Sequence, residues 1–217
     1  MLTRLSGLYA ITDSRLQTPN ELATQVKLAV QGGARMVQYR DKSDDQSKRQ
    51  AQVTALLTIC REFSVPLIIN DDIQLARFCG ADGVHLGRTD SDLQTARKQL
   101  GDTAIIGVSC YNEWARAEQA VALGADYIAF GRFFASSTKP DAALAETVLL
   151  SRARKQLSLP VVAIGGITAN NGQQLVNAGA DMLAVIAGLF EQPDIEQTAQ
   201  RFSRLFQPKQ PRPIESS

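Results

Sequence analysis

The chain of 217 residues carries 23 Lys and Arg against 22 Asp and Glu, a formal net charge of +1, with 44% apolar and 21% charged residues. That composition excludes a disordered or collagen-like chain. It also gives no charge excess for coating nucleic acid or an acidic membrane surface, so any anion chemistry must be local.

A chain this long buries roughly 70–75% of its unfolded surface and needs no covalent staples. Its three cysteines, Cys60, Cys79 and Cys110, are far apart and form no CxxC, so they read as free thiols of a reducing compartment. No apolar run approaches the roughly 18 residues of a membrane span, and the N-terminus shows no secretory signal. The expectation is a cytoplasmic protein with one domain over residues 1–206 and a disordered, proline-containing tail at 207–217.

Eight short apolar runs follow in chain order: Leu8–Ile11, Met36–Tyr39, Pro66–Ile69, Gly83–Leu86, Ile105–Val108, Tyr127–Phe130, Val161–Ile164 and Met182–Ile186. Near-continuous apolarity over strand length fits strands buried on both faces, as in a parallel sheet. Helical patterns separate them. Thr18-Pro19-Asn20-Glu21 is a capping box with proline at the first helical position, ahead of Leu22, Val26, Ala29 and Val30 on one face. Gly32-Gly33 ends that helix. Val53, Leu56, Leu57, Cys60 and Phe63 mark a second face. Trp114, Ala117, Val121 and Leu123 mark a later one, with Asn112 as its cap and Gly124 as its stop.

A weak repeat sets the count. Gly33-Ala34-Arg35, Gly80-Ala81-Asp82, Gly124-Ala125-Asp126 and Gly179-Ala180-Asp181 each precede an apolar run, at successive spacings of 47, 44 and 55 residues. Each interval is long enough for two β–α units. Four double units give eight strands, which predicts an α/β fold of the TIM type: a single-domain (β/α)8 barrel of eight parallel strands. The competing architecture is an open doubly wound sheet, but Ile11-Thr12-Asp13-Ser14-Arg15 lacks the glycine-rich dinucleotide loop after the first strand.

In such a barrel the active site lies at the C-terminal ends of the strands. There the sequence places Gln38, Arg40, Asp41 and Lys42 after the second run, and Asn70, Asp71 and Asp72 after the third. Arg88 and Asp90 follow the fourth, Ser109 ends the fifth, and Arg132, Ser136, Ser137, Thr138 and Lys139 follow the sixth. Gly165-Gly166 follows the seventh, and the eighth runs into Ala187-Gly188. Arg40, Lys42 and Lys139 are cations suited to phosphate groups. Asp71 and Asp90 are hard oxygen donors, and two carboxylates with substrate phosphates suit Mg²⁺. Glycines and a helix start after the last two strands resemble the phosphate cup common in barrels. The set implies two phosphate-bearing ligands. His85, the only histidine, reads as a hydrogen-bonded core residue. No Ser-His-Asp, Cys-His or HExxH arrangement supports hydrolase chemistry.

Seven ordered blocks then resemble the thiamine-phosphate synthase (thiamine-phosphate pyrophosphorylase) family. They are Gly7-Leu8-Tyr9-Ala10-Ile11-Thr12-Asp13, Val37-Gln38-Tyr39-Arg40-Asp41-Lys42, Ile69-Asn70-Asp71-Asp72, Gly83-Val84-His85-Leu86-Gly87, Gly107-Val108-Ser109, Ser137-Thr138-Lys139 and Ala163-Ile164-Gly165-Gly166-Ile167. The resemblance implies the same barrel and a transferase. That enzyme joins hydroxymethylpyrimidine diphosphate to a thiazole phosphate, with release of pyrophosphate. It implies a pyrimidine-diphosphate site of Gln38, Tyr39, Arg40, Asp41, Lys42, Asn70, Ser109 and Lys139, with Arg40, Lys42, Ser109 and Lys139 catalytic. It further implies a Mg²⁺ site of Asp71 and Asp90, and a thiazole-phosphate site of Ser136, Ser137, Thr138, Gly166, Ile186 and Ala187. The expected partners are two small phosphorylated substrates, with no nucleic acid and no membrane. Arg88, Arg132, Ala135 and Ala187 depart from the family pattern, and Phe133–Asp141 is the expected lid. The alternatives are a thiazole tautomerase, which would keep the thiazole-phosphate cup and need a positioned general base but not the diphosphate set, and a non-catalytic phosphate-binding barrel, which predicts ligand affinity without turnover and loss of the metal carboxylates.

Overall fold

The computed structural model describes residues 5–87, 93–135 and 145–207. Within them eight strands run in chain order: β1 (Gly7–Ile11), β2 (Ala34–Tyr39), β3 (Leu67–Asn70), β4 (Gly83–Leu86), β5 (Ile105–Tyr111), β6 (Tyr127–Gly131), β7 (Val161–Ile164) and β8 (Met182–Val185). Each pairs in parallel with the next, and β8 pairs back with β1 through Gly7↔Met182 and Leu8↔Leu183. The sheet is therefore a closed (β/α)8 barrel. The β1–β8 ladder rules out the open doubly wound alternative.

The helices among the described residues are α1 (Pro19–Gln31), α2 (Gln46–Glu62), α3 (Ile73–Cys79), α4 (Leu93–Leu100), α5 (Trp114–Ala122), α6 (Val148–Gln156), α7 (Gly172–Ala178), α8 (Ala187–Phe190) and α9 (Ile195–Arg204). At the start of α1 the Glu21 carboxylate reaches back to accept from the Thr18 N–H at 3.2 Å, the half of the capping box that the sequence predicts, and it also accepts from the Thr18 hydroxyl at 2.6 Å. The α5 expectation needs correcting. Its N-cap is Glu113 rather than Asn112, and Leu123 caps the C-terminus and is exposed. The buried face of α5 is made by Ala117 and Ala120, one turn apart, with partly buried Trp114.

The core has two layers. Alternate strand residues Tyr9, Met36, Ile68, Ile105, Tyr127, Val162 and Met182 fill the barrel. Their neighbours, such as Leu8, Val37, Leu67 and Ile106, pack outward against the helices. This is the period-two alternation of a strand, with both faces apolar. It explains why the runs read as continuous.

The Gly-Ala-Asp repeat is a structural device. Gly80, Gly124 and Gly179 have φ of 67°, 84° and 118°, so each ends its helix in the left-handed region. The following Ala N–H then closes on a carbonyl five residues back: Ala81 to Ala76, Ala125 to Ala120, Ala180 to Leu175. The Asp side chain reaches sideways to the first residues of the preceding strand. Asp82 accepts from the Leu67 N–H at 2.8 Å, Asp126 from Ile106 at 2.7 Å and Asp181 from Val161 at 3.0 Å. Each Asp N–H donates back to the same residue's carbonyl. Odd and even strands are thus clamped in pairs at the bottom of the barrel. In the first quarter Arg35 stands in place of the Asp and is exposed.

Asp126 also holds Arg97, at 2.7 Å. Asp126→Ala leaves the Ile106 N–H unanswered and strips Arg97 of its carboxylate. The expected cost is about 1–3 kcal/mol. It should appear as a lower urea midpoint with an unchanged slope. A midpoint equal to that of the parent protein would show that the clamp contributes nothing.

Candidate active site

The C-terminal strand ends gather most of the expected residues on one rim. On β2 the side chains alternate. Gln38 turns into the barrel and donates from Nε2 to the Tyr9 hydroxyl at 2.6 Å. Tyr39 turns outward, where its hydroxyl donates to Gln52 Oε1 on α2 at 2.7 Å. Asp41 is likewise engaged with the α2 side, by Lys48 at 2.8 Å and the Ser43 N–H at 2.8 Å. Tyr39 and Asp41, expected in the pyrimidine-diphosphate site, thus each bond a side chain on α2. A strand buried on both faces sends every second residue to the helices.

Arg40 is held from two directions. Its N–H donates to the Thr12 hydroxyl at 3.0 Å, and its guanidinium donates to Asp13 Oδ2 at 3.0 Å. Asp13 is buried, and also accepts from the Arg15 side chain at 2.6 and 3.0 Å. Burial pushes the Asp13 carboxyl up, but the two arginines prevail and hold it below the usual carboxylate range. Lys42 is exposed. It shares a depression of about 470 Å³ with Asn70 and Asp71.

Asp71 sits in the left-handed region at φ 63°, a conformation Asp tolerates better than most residues. Its N–H donates to the His85 carbonyl at 2.9 Å, and its Oδ2 accepts from Asn70 Nδ2 at 2.6 Å. The next residue, Asp72, is the α3 cap, accepting from the Leu75 N–H at 2.9 Å. The two adjacent carboxylates thus divide their work, one to the helix and one to the rim.

His85 is nearly buried, and both ring nitrogens are engaged. Nδ1 lies 2.9 Å from the Tyr127 hydroxyl and Nε2 lies 2.8 Å from Ser109 Oγ. This is the hydrogen-bonded core histidine the sequence suggests. Ser109 stands where the β5–β6 register shifts, and its carbonyl accepts from Arg116 Nε at 2.6 Å. Arg116 also donates to the Gly87 carbonyl, tying the ends of β4 and β5 together.

On the far side, Gly165 and Gly166 have φ of 107° and 62°, and an added Cβ would run into Arg132 or the Ala135 carbonyl. Only glycine fits there. Asn171 Nδ2 donates to the Gly166 carbonyl at 3.0 Å. Ile186 packs on the inner core and caps α8, whose first residue is Ala187. The N–H groups that open α8 have no partner within the helix, as at any helix start. Arg88, Asp90, Ser136, Ser137, Thr138 and Lys139 lie outside the described residues, as do most of the expected lid and residues 208–217 of the tail.

The thiamine monophosphate synthase family model matches residues 8–189. The chain belongs to that family. It is 51% identical over 206 residues to the thiamine-phosphate synthase of Nitrosococcus oceani, covering 95% of each chain. It is 50% identical over 206 residues to that of Thiobacillus denitrificans, covering 95% of this chain and 97% of the relative. The thiamine phosphate pyrophosphorylase of Pyrococcus furiosus superposes with a TM-score of 0.84 at 29% identity, covering 93% of this chain and 96% of that one. The thiamine monophosphate synthase family thus accounts for the whole barrel. It also makes the chain a transferase. Among the described residues no helix is long and apolar enough to cross a membrane.

Sequence reasoning missed Asp13 as the partner of Arg40, and Tyr9 and Tyr127 as polar neighbours of His85. For Asp13 the signal was present, as an acidic residue directly after the first strand. For the tyrosines the hydroxyls were hidden inside apolar runs.

Burial also pushes the Asp41 carboxyl up, but the Lys48 ammonium and the Ser43 N–H override it, leaving a pKa of about 2 against an ordinary 3.8. A lowered folded-state pKa stabilises above the unfolded value, and that contribution fades as pH falls from about 4 towards 2. Lys48→Met should raise the Asp41 pKa and remove about 1–2 kcal/mol near neutral pH. Carboxyl NMR titration and urea melts check this. An Asp41 pKa still near 2 in the variant would show that Lys48 is not its main partner.

Proposed function

We propose that this barrel joins 4-amino-2-methyl-5-(diphosphooxymethyl)pyrimidine to thiazole phosphate, or its carboxylated form, giving thiamine phosphate and pyrophosphate. The observation that carries the reading is the division of one rim. Gln38, Arg40, Lys42, Asn70, Asp71 and Ser109 come from β2, β3, β5 and the loops that follow them. Gly166, Ile186 and Ala187, which we read as the backbone cup, follow β7 and β8. One side suits a diphosphate and the other a monophosphate.

The chemistry asks little covalent work of the protein. Pyrophosphate departs from a benzyl-like carbon of an electron-rich aminopyrimidine, so the ring shares the positive charge. The thiazole nitrogen then captures that carbon. Arg40, pre-set by Asp13 and Thr12, and Lys42 stabilise the departing negative charge, with Lys139 by family resemblance. Anchoring both phosphates aligns the reacting atoms. Ser136, Ser137 and Thr138 are assigned to the thiazole phosphate by the same resemblance. Tyr39 and Asp41 act indirectly, by shaping the loop that carries Arg40 and Lys42.

The Asp71 carboxylate fits a magnesium site, being a hard oxygen donor on the rim beside Lys42 and Asn70. Asp90 is the second ligand implied by resemblance. Magnesium, when bound, supplies further positive charge to the diphosphate. The tautomerase alternative needs a positioned base, and the only histidine has both ring nitrogens occupied by Tyr127 and Ser109.

Purified protein with both substrates and Mg²⁺ should give thiamine phosphate, read as its fluorescent oxidation product. Product should vanish with EDTA and fall sharply in Asp71→Asn. Arg40→Ala, Lys42→Ala and Lys139→Ala should each lose roughly 10²–10³ in turnover. No product from the parent protein, or parent-like turnover in all three cation variants, would overturn the reading.

A further inference from the structure

The barrel interior contains a polar wire that departure and capture of the pyrimidine do not use. Gln38 Nε2 donates to the Tyr9 hydroxyl at 2.6 Å. The Tyr9 and Tyr127 hydroxyls are 2.8 Å apart. Tyr127 is 2.9 Å from His85 Nδ1, and His85 Nε2 is 2.8 Å from Ser109 Oγ. The wire joins five strands, β2, β1, β6, β4 and β5. Its two ends, Gln38 and Ser109, are both rim residues of the proposed diphosphate side. Tyr127 is fully buried, its ring stacked on the His85 imidazole at 5.5 Å in space left by Gly107, whose Cβ would enter that ring.

Counting protons gives the wire a direction. Burial pushes both tyrosines far above their ordinary pKa, so each keeps one proton. Tyr9 accepts from Gln38; a second donor onto it from Tyr127 would leave the buried Tyr9 O–H without an acceptor among the described residues, so the fully satisfied arrangement sends the Tyr9 proton to Tyr127. Tyr127 then spends its proton on His85 Nδ1. That nitrogen must present a lone pair, so the imidazole proton sits on Nε2 and points at Ser109 Oγ. With one lone pair filled by His85, the Ser109 O–H points away from the imidazole.

We propose that His85 is a positioning residue, locked as the Nε2–H tautomer by Gln38 through Tyr9 and Tyr127, and that it makes Ser109 a hydrogen-bond donor towards the substrate diphosphate. The proposal rests on the reading of Ser109 as a diphosphate-side residue. The opposite polarity would have Ser109 donate to a bare Nε2 and turn oxygen lone pairs on an anion. That arrangement would make Gln38 and Tyr127 both donate to Tyr9 and leave the buried Tyr9 O–H without an acceptor among the described residues.

The chain has one histidine, so ¹⁵N-histidine labels a single ring. In the full-length protein at neutral pH, long-range ¹H–¹⁵N spectra should show a protonated, pyrrole-like Nε2 and a pyridine-like Nδ1, with and without Mg²⁺ and inorganic pyrophosphate. Tyr127→Phe, which leaves the packing nearly intact, should mix the tautomers and lower kcat about 10–100-fold, with a smaller change in KM. His85→Gln retains an N–H donor and should keep most activity, whereas His85→Leu should match Ser109→Ala, and the double variant should be no worse than either.

A protonated Nδ1 in the active parent enzyme would overturn the proposal alone. So would losses from His85→Leu and Ser109→Ala that multiply. A parent-like rate in Ser109→Ala would overturn it by removing Ser109 from the diphosphate side. An inactive parent protein would instead sink the transferase reading, with the tautomer still measured by the spectrum.

Discussion

A closed barrel of eight strands has no edge, and its interior can be filled only by alternate side chains from the strands themselves. Towards the bottom this chain fills it with Met36, Ile105 and Met182. Nearer the C-terminal ends the inward positions become Gln38, His85 and Ser109, polar groups inside a wall of apolar neighbours. Burying them unpaired would cost several kcal/mol in all. Tyr9 and Tyr127 resolve the conflict, because each has an apolar ring to fill the core and one hydroxyl to pass a hydrogen bond onward. The floor of the site is therefore a fully bonded network rather than a loose polar cavity. Networks of that kind fix side-chain orientation as well as satisfying polar atoms.

The fold was legible because two independent signals agreed. Strands buried on both faces gave eight continuous apolar runs, and Gly-Ala-Asp gave their pairing into double units. The repeat carries that information for a physical reason. Its glycine stops a helix, its alanine closes the last turn, and its aspartate grips the preceding strand, so the three residues recur wherever an even strand joins an odd one. The same continuity concealed which residues face inward. In an alternating strand the polar residues mark one face, but here both faces are apolar. The hydroxyl of Tyr39 turns to α2, and those of Tyr9 and Tyr127 turn inward, yet all three sit in runs that read alike. Helix ends were less legible where no side chain caps them, as with Glu113 and Leu123 on α5.

The rim was legible in kind but not in pairing. Cations, carboxylates and small donors after the strands could be counted from the sequence, yet their partners come from other loops. Asp13 holds Arg40 from 27 positions away, and Arg49 reaches Asp72 across 23. No local spacing encodes such contacts. Tertiary closure creates them.

Those pairings also reconcile a nearly neutral protein with a site for two polyanions. Charges around the β2 and β3 ends are largely spent on one another, with Asp41 on Lys48, Asp72 on Arg49 and Asp13 on Arg40 and Arg15. Asp13 serves two guanidiniums with one carboxylate, so that cluster keeps a net positive charge. Lys42 adds another, exposed and with no carboxylate partner among the described residues. The uncancelled positive charge is thus confined to the Arg15–Asp13–Arg40 cluster and Lys42, beside pairs that cancel. A field made this way is short-ranged and fixed in direction, which suits a phosphate arriving at a defined point better than a diffuse basic surface would. It also sets a requirement on the carboxylates. An Asp13 that lost its proton-free state would release Arg40 from its orientation before it changed the total charge by much, so the geometry of the rim is more sensitive to that buried carboxylate than its net charge is.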